Sequence, residues 1–162
     1  MIAWKTRSAE ERALLSPSFC STLLWEAAAA YSIAAGVSLP FEVSFVVLPM
    51  VLHRETRESL PQAVSTSLAV WLDENPLARS GVGARARTLM PFTKDAIIFG
   101  GTHGLLDLSQ GAVSAREDWK KAIAIELRDS TAEVRACARR AAFVGRWFAR
   151  TGSPERSWRF WG

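Results

Sequence analysis

The sequence predicts a mainly α-helical single domain with one β-hairpin and an amphipathic helix near its C-terminal end. Three observations carry this. Val43 to Leu52 is apolar apart from Ser44 and Pro49, and a run with no polar face is buried on all sides. Apolar residues recur at helical spacing between cap signals, as from Ser16 to Gly36 and from Ser130 to Gly152. One stretch, Leu106 to Val113, alternates about the turn residues Ser109, Gln110 and Gly111.

Taken in order, Ser8-Ala-Glu-Glu has the form of a capping box, with Ser8 as N-cap and Glu11 at the third helical position. It starts a short helix that ends before Pro17. Ser16 and Pro17 begin a second helix carrying Phe19, Leu23, Leu24, Ala27, Ala28, Tyr31 and Ala35. The small residues Ala27 to Ala30 let a neighbour approach closely, and Gly36 ends the helix. The run from Phe41 to Pro61 is the central element. Val43, Val46, Val47 and Val51 favour strand, while Leu48, Met50 and Leu52 accommodate helix; length decides for helix, with Pro49 as a kink or near a start. Its end turns charged at His53, Arg54, Glu55, Arg57 and Glu58 and is expected to surface.

Three further helices are expected at 62–74, 77–89 and 91–101, with Asn75-Pro76 and Pro91 as the breaks. A hairpin at 104–116 follows. Three helices and a hairpin are the order of a winged helix-turn-helix; the same hairpin could equally join two helical halves. Ser130 and Glu133 form a second capping box, which opens the last helix. We therefore divide the domain into N-terminal helices with the buried central helix (1–61), a winged-helix-like unit (62–116), and the C-terminal helix with its basic aromatic tail (117–162).

The formal charge of +4 is unevenly placed. From Arg128 onward there are eight Arg, no Lys and three acids, a local balance of +5; the chain before it balances at −1. Seven Trp are many for 162 residues, and Trp concentrates in cores and interfaces. Cys20 and Cys137 lack metal spacing and read as reduced, buried thiols of a cytoplasmic protein. The N-terminal MIAWKTRSAEER carries charge where a signal peptide needs an apolar region, and no run reaches transmembrane length.

Catalytic constellations are missing. His53 and His103 have no partner at metal-ligand spacing, and no stretch fits a phosphate-binding glycine loop. A His53/Glu58 acid–base pair competes with a helix-terminus histidine in a charged patch, and the latter is the simpler reading. No cofactor is expected.

The last helix pairs an apolar stripe (Val134, Cys137, Ala138, Ala141, Gly145, Phe148) with a basic one. Arg135, Arg139, Arg146 and Arg150 fall close to one line at 3.6 residues per turn. The stripe is either a solvated face or a contact with phosphate or an acidic protein. Arg without Lys favours contact, because the guanidinium fork binds both groups in two-pronged fashion. Trp158, Phe160 and Trp161 either fold back on the core or act as interface anchors. Arg54 and Arg57 complete the set of partner-binding candidates.

Several pieces, in order, resemble one family. They are LLSPSFCSTLL (14–24), FVVLPMVLHRETRESLP (45–61), WLDENP (71–76), RARTLMPFTKDAIIFG (85–100) and ARRAAFVGRWFARTGSP (138–154). They are similar to the middle component of bacterial three-component ABC systems. The resemblance implies a small non-enzymatic subunit, encoded between an SMC- or Rad50-like ATPase and an effector such as a nuclease or other toxin. Such systems act in conflict with phages or plasmids. DNA is expected to be met only through the complex, and no membrane contact is expected. The chain departs from the family at its end, RFWG in place of a short leucine-glycine segment. The competing readings are a free-standing winged-helix DNA-binding regulator and a small hydrolase around His53. Against the regulator, the recognition-helix segment FTKDAIIFG offers one Lys and one Asp where a groove reader would present Arg, Asn or Gln.

Overall fold

The computed structural model of the chain describes residues 8–151. The elements are α1 (Ala9–Leu14), α2 (Pro17–Ala35), β1 (Leu39–Pro40), a 3-10 turn (Phe41–Val43), α3 (Ser44–Val51), α4 (Arg54–Ser59), α5 (Leu68–Glu74) and α6 (Pro76–Thr102). They continue with β2 (Leu106–Ser109), β3 (Ala112–Ala115), a 3-10 turn (Glu117–Trp119), α7 (Lys120–Arg128) and α8 (Ala132–Thr151). The fold is mainly α, with one hairpin and an amphipathic C-terminal helix, as expected.

Helices α2 and α3 form the central layer, and α6 and α8 cover it from separate sides. Ser16 caps α2 through the Phe19 N–H at 3.2 Å, and Gly36 closes it at φ 75°. The small stretch of α2 does what its composition suggests. Gly145 of α8 sits so close that an added Cβ would collide with the Ala27 carbonyl oxygen. Val46 to Val51 are all buried in α3. Pro49 lies inside that helix, and the charged segment after it forms a separate short helix, α4.

Three expectations change. The helix after Pro61 starts later, at Leu68, because Ser67 caps it through the Val70 N–H at 3.2 Å; Val64 therefore lies in the preceding loop. The helices expected at 77–89 and 91–101 are one, α6, of 27 residues. Pro91 is exposed, so the carbonyl it leaves without an N–H partner lies on the solvated side, where water can take it. Between Pro61 and the hairpin there are thus two helices, α5 and α6, where three were expected. Thirdly, Thr131 rather than Ser130 caps α8, through Val134 N–H at 3.2 Å, while Ser130 Oγ donates to Leu127 O. That shifts Glu133 out of the capping-box position and frees it for Arg57. The Ser8/Glu11 box rests in part on the Glu11 side chain, which lies outside the described residues.

In the hairpin, Gln110 (φ 53°) and Gly111 (φ 72°) make the two-residue turn. Both positive angles match the twist of antiparallel strands. Strand β3 is central, pairing with β2 on one side and with Leu39–Pro40 on the other. At the end of α6, Gly100 leaves no room for a Cβ beside Ser21 Oγ and Leu106, which locks the hairpin to α2.

Tryptophans join the layers by donating to backbone carbonyls of other segments. Trp25 Nε1 donates to Arg116 O at 2.9 Å, Trp71 to Ser59 O at 2.8 Å and Trp147 to Thr66 O at 2.7 Å. Trp71 and Trp147 also meet edge to face, with ring centroids 5.5 Å apart. Trp4, Trp158 and Trp161 lie outside the described residues. Cys20 and Cys137 are buried free thiols. Burial, with a smaller contribution from Cys137, pushes the Cys20 thiol up to about 12. Among the described residues no helix is long and apolar enough to cross a membrane.

Candidate functional site

The arginines of the C-terminal third divide into two groups with different tasks. Arg135 and Arg140 are only partly exposed and spend their donors inside the molecule. Arg135 Nη1 reaches Ser130 O and Arg128 O, satisfying carbonyls that α7 leaves at its end. Arg140 Nη2 donates to Leu60 O at 3.0 Å and Pro61 O at 2.6 Å, and its guanidinium lies 4.5 Å from the Phe143 ring centre. Burial, then the nearby Arg146 and Arg139, lowers its pKa. Arg139, Arg146 and Arg150 point outward and make no ion pair or hydrogen bond among the described residues. The expected stripe is therefore present as a helix face, with its first member tied down.

The helix presents this face because its other side is spent on packing. Cys137, Ala141, Val144, Trp147 and Phe148 are each at most 2% exposed, and they alternate with the arginines at helical spacing. Between the two faces runs a groove of about 860 Å³, shared by α8 with α2, α4 and α7. Arg139 and Arg146 border it, Ala136 and Ala142 belong to its wall, and Glu26 enters from α2. Glu26 is half-buried, has no ion pair or hydrogen bond among the described residues, and its carboxyl is held above the usual range by burial.

Arg57 is not a surface residue. It is 4% exposed, and its Nη1 donates to Val51 O at 2.7 Å and lies 3.4 Å from Cys137 Sγ. Its Nη2 pairs with Glu133 at 2.7 Å. It closes the C-terminal end of α3 and anchors α4 to α8, so its donors are spent inside the molecule at the edge of the groove. Arg54 is exposed and pairs with Glu58 one turn on, at 2.9 Å. Trp158, Phe160 and Trp161 lie outside the described residues.

His53 is the N-cap of α4. Its Nδ1 accepts from the Thr56 N–H at 3.3 Å and stands 2.8 Å from Thr56 Oγ1, which takes a further bond from Arg85 Nη2 at 2.7 Å. Accepting from the Thr56 N–H uses the Nδ1 lone pair, the role of an imidazole that carries its proton on Nε2. Burial and then Arg85 lower its pKa. Thr56 is 3% exposed, so its hydroxyl is enclosed and the pair caps the helix. His103 stacks on Phe99 at the end of α6, with ring centroids 4.0 Å apart. Among the described residues no three His, Cys, Asp or Glu side chains gather in a way that could hold a metal ion.

What this surface can do is bind charge. Comparison with known families decides its setting: the model of the ABC-three component (ABC-3C) system Middle Component 3 family matches residues 4–162. The chain belongs to this family. Neither the curated proteins nor the solved structures give a match. Two features of the site were not visible in the sequence. Glu26 sits in an alanine-rich stretch that reads as packing, and only the docking of α8 places it in the groove. The burial of Arg57 depends on Glu133, distant in the chain, and has no local signal.

Proposed function

We propose that this middle component is a non-enzymatic bridging subunit of an antiphage or anti-plasmid complex. It links an SMC- or Rad50-like ATPase to an effector, a nuclease or other toxin, in the cytoplasm. The observation that carries this reading is a pair of chemically different faces on separate sides of the α2/α3 layer. On α8, Arg139, Arg146 and Arg150 form a basic face. On α6, Met90 (41% exposed), Lys94 and Ile98 (65% exposed) lie along one line, and Leu108 (48% exposed) of the hairpin extends it beside Gly101. A basic face suits an acidic partner and an apolar one suits a partner that buries apolar area.

The same α6 face argues against a free-standing DNA-binding regulator. It offers Met90, Lys94 and Ile98, with Asp95 beside them, where base edges call for Arg, Asn or Gln. DNA is then met through the complex. The test is purification of the tagged ATPase from cells with and without the middle component. The effector should co-purify only when the middle component is present; equal recovery without it contradicts bridging.

A further inference from the structure

The α8 groove carries charge of both signs in an arrangement that selects its occupant. Three carboxylates line it, those of Glu26, Glu58 and Glu133. Glu58 is paired with Arg54 and Glu133 with Arg57. Glu26 alone has no counter-charge among the described residues, although it is half-buried. On the basic side Arg135 and Arg140 are committed to carbonyls, Arg57 is paired with Glu133 and Arg128 with Asp129, which leaves Arg139 and Arg146 at the rim. These two are seven residues apart, two helical turns or about 10 Å along α8. Beside them the wall is low at Ala142, between the two, and at Ala136, one turn before Arg139, since both have only methyl side chains.

We propose that this groove holds an acidic helix of a partner protein, which sets carboxylates two turns apart against Arg139 and Arg146 and a basic side chain against Glu26. The proposal rests on the bridging reading and names the chemistry of one of its two contacts. The methyl-lined wall lets a helix lie close, as in helix-in-groove recognition. Nucleic acid fits less well. A phosphate backbone has no cation to offer Glu26, and it would be repelled by that carboxylate while being drawn to the arginines. The lone carboxylate is thus the feature that separates a protein occupant from a polyanion. The stripe beyond the groove, at Arg150, adds attraction at longer range and affects the association rate more than the bound state.

The experiment measures affinity of the full chain for each of the other two components of its system, with a short DNA duplex titrated in parallel. Wild type is compared with R139E/R146E, with E26Q and with a chain ending at Ser153; circular dichroism and Tm establish that each variant is folded. The expected result is that R139E/R146E weakens one component by roughly tenfold or more. E26Q weakens the same component several-fold, and duplex DNA binds none of the proteins. A folded R139E/R146E that binds both components like wild type overturns the proposal and leaves bridging intact. DNA binding that R139E/R146E abolishes and E26Q strengthens overturns it in favour of nucleic acid. Tighter binding by the chain ending at Ser153 overturns it in favour of the chain's own tail as occupant. Capture of neither component by wild type removes the bridging reading and this proposal together.

Discussion

Arg57 and Glu133 meet at 2.7 Å from opposite environments: Arg57 is 4% exposed and the Glu133 side chain 46%. The cost of breaking this pair therefore depends on which partner is removed. Glu133→Ala leaves a guanidinium buried without the one counter-ion it has among the described residues, which costs about 3–5 kcal/mol. Arg57→Met leaves Glu133 able to rehydrate and leaves the Val51 carbonyl to the weak Cys137 Sγ donor at 3.7 Å, for about 1–3 kcal/mol. Urea denaturation of both variants should rank the exposed residue as the more important. The reverse order would show that water reaches Arg57.

Gly145→Ala should be among the most damaging small substitutions in the chain. The added methyl meets the Ala27 carbonyl, part of a helix backbone that cannot rotate aside. Helices α2 and α8 must separate, at a cost of about 1–3 kcal/mol or more. A Tm equal to wild type would contradict this crossing.

Trp71 is 2% exposed, meets Trp147 edge to face and donates to Ser59 O. Trp71→Ala should cost about 3–5 kcal/mol. Trp71→Phe keeps most of the contact area and loses the hydrogen bond, so it should cost clearly less. Equal melting temperatures for Trp71→Ala and the parent would mean that this face is exposed.

The cap at His53 makes stability depend on pH. Its folded pKa is lowered, chiefly by burial, so the unfolded chain binds the proton more readily. The stabilising contribution is complete above the unfolded value of about 6.5 and is lost as pH falls through the lower folded value. His53→Asn keeps an N-cap acceptor without a titrating ring. The difference in Tm between the two proteins should move in favour of His53→Asn as pH drops below about 6.5. Parallel Tm curves would show that the ring is not the group responsible.

How much of this was legible depends on how local each signal is. Ser16, Pro17 and Gly36 bound α2 through neighbours a few residues away, and Gln110-Gly111 states its own turn. The apolar stripe of α8 predicted Phe148 and Cys137 as core, and its spacing predicted the outward Arg139 and Arg146. The failures are tertiary. Pro91 is a breaker by local rule, yet α6 continues through it because Val82, Ala96, Ile97 and Gly100 bury one side along its length. Leu39–Pro40 is too short to show any period, and becomes a strand only because β3 lies beside it. Arg57 reads as part of a charged surface run, and Glu26 as an interruption of an alanine helix. Each acquires its role from an element far along the chain.

The central claim is that one copy of this chain holds two different partners at once. The direct measurement is binding of the effector to middle component already saturated with the ATPase. The account predicts an affinity close to that for the middle component alone and a ternary complex containing all three proteins. Displacement of the ATPase by the effector, or direct binding of the effector to the ATPase with equal affinity when the middle component is absent, would contradict it.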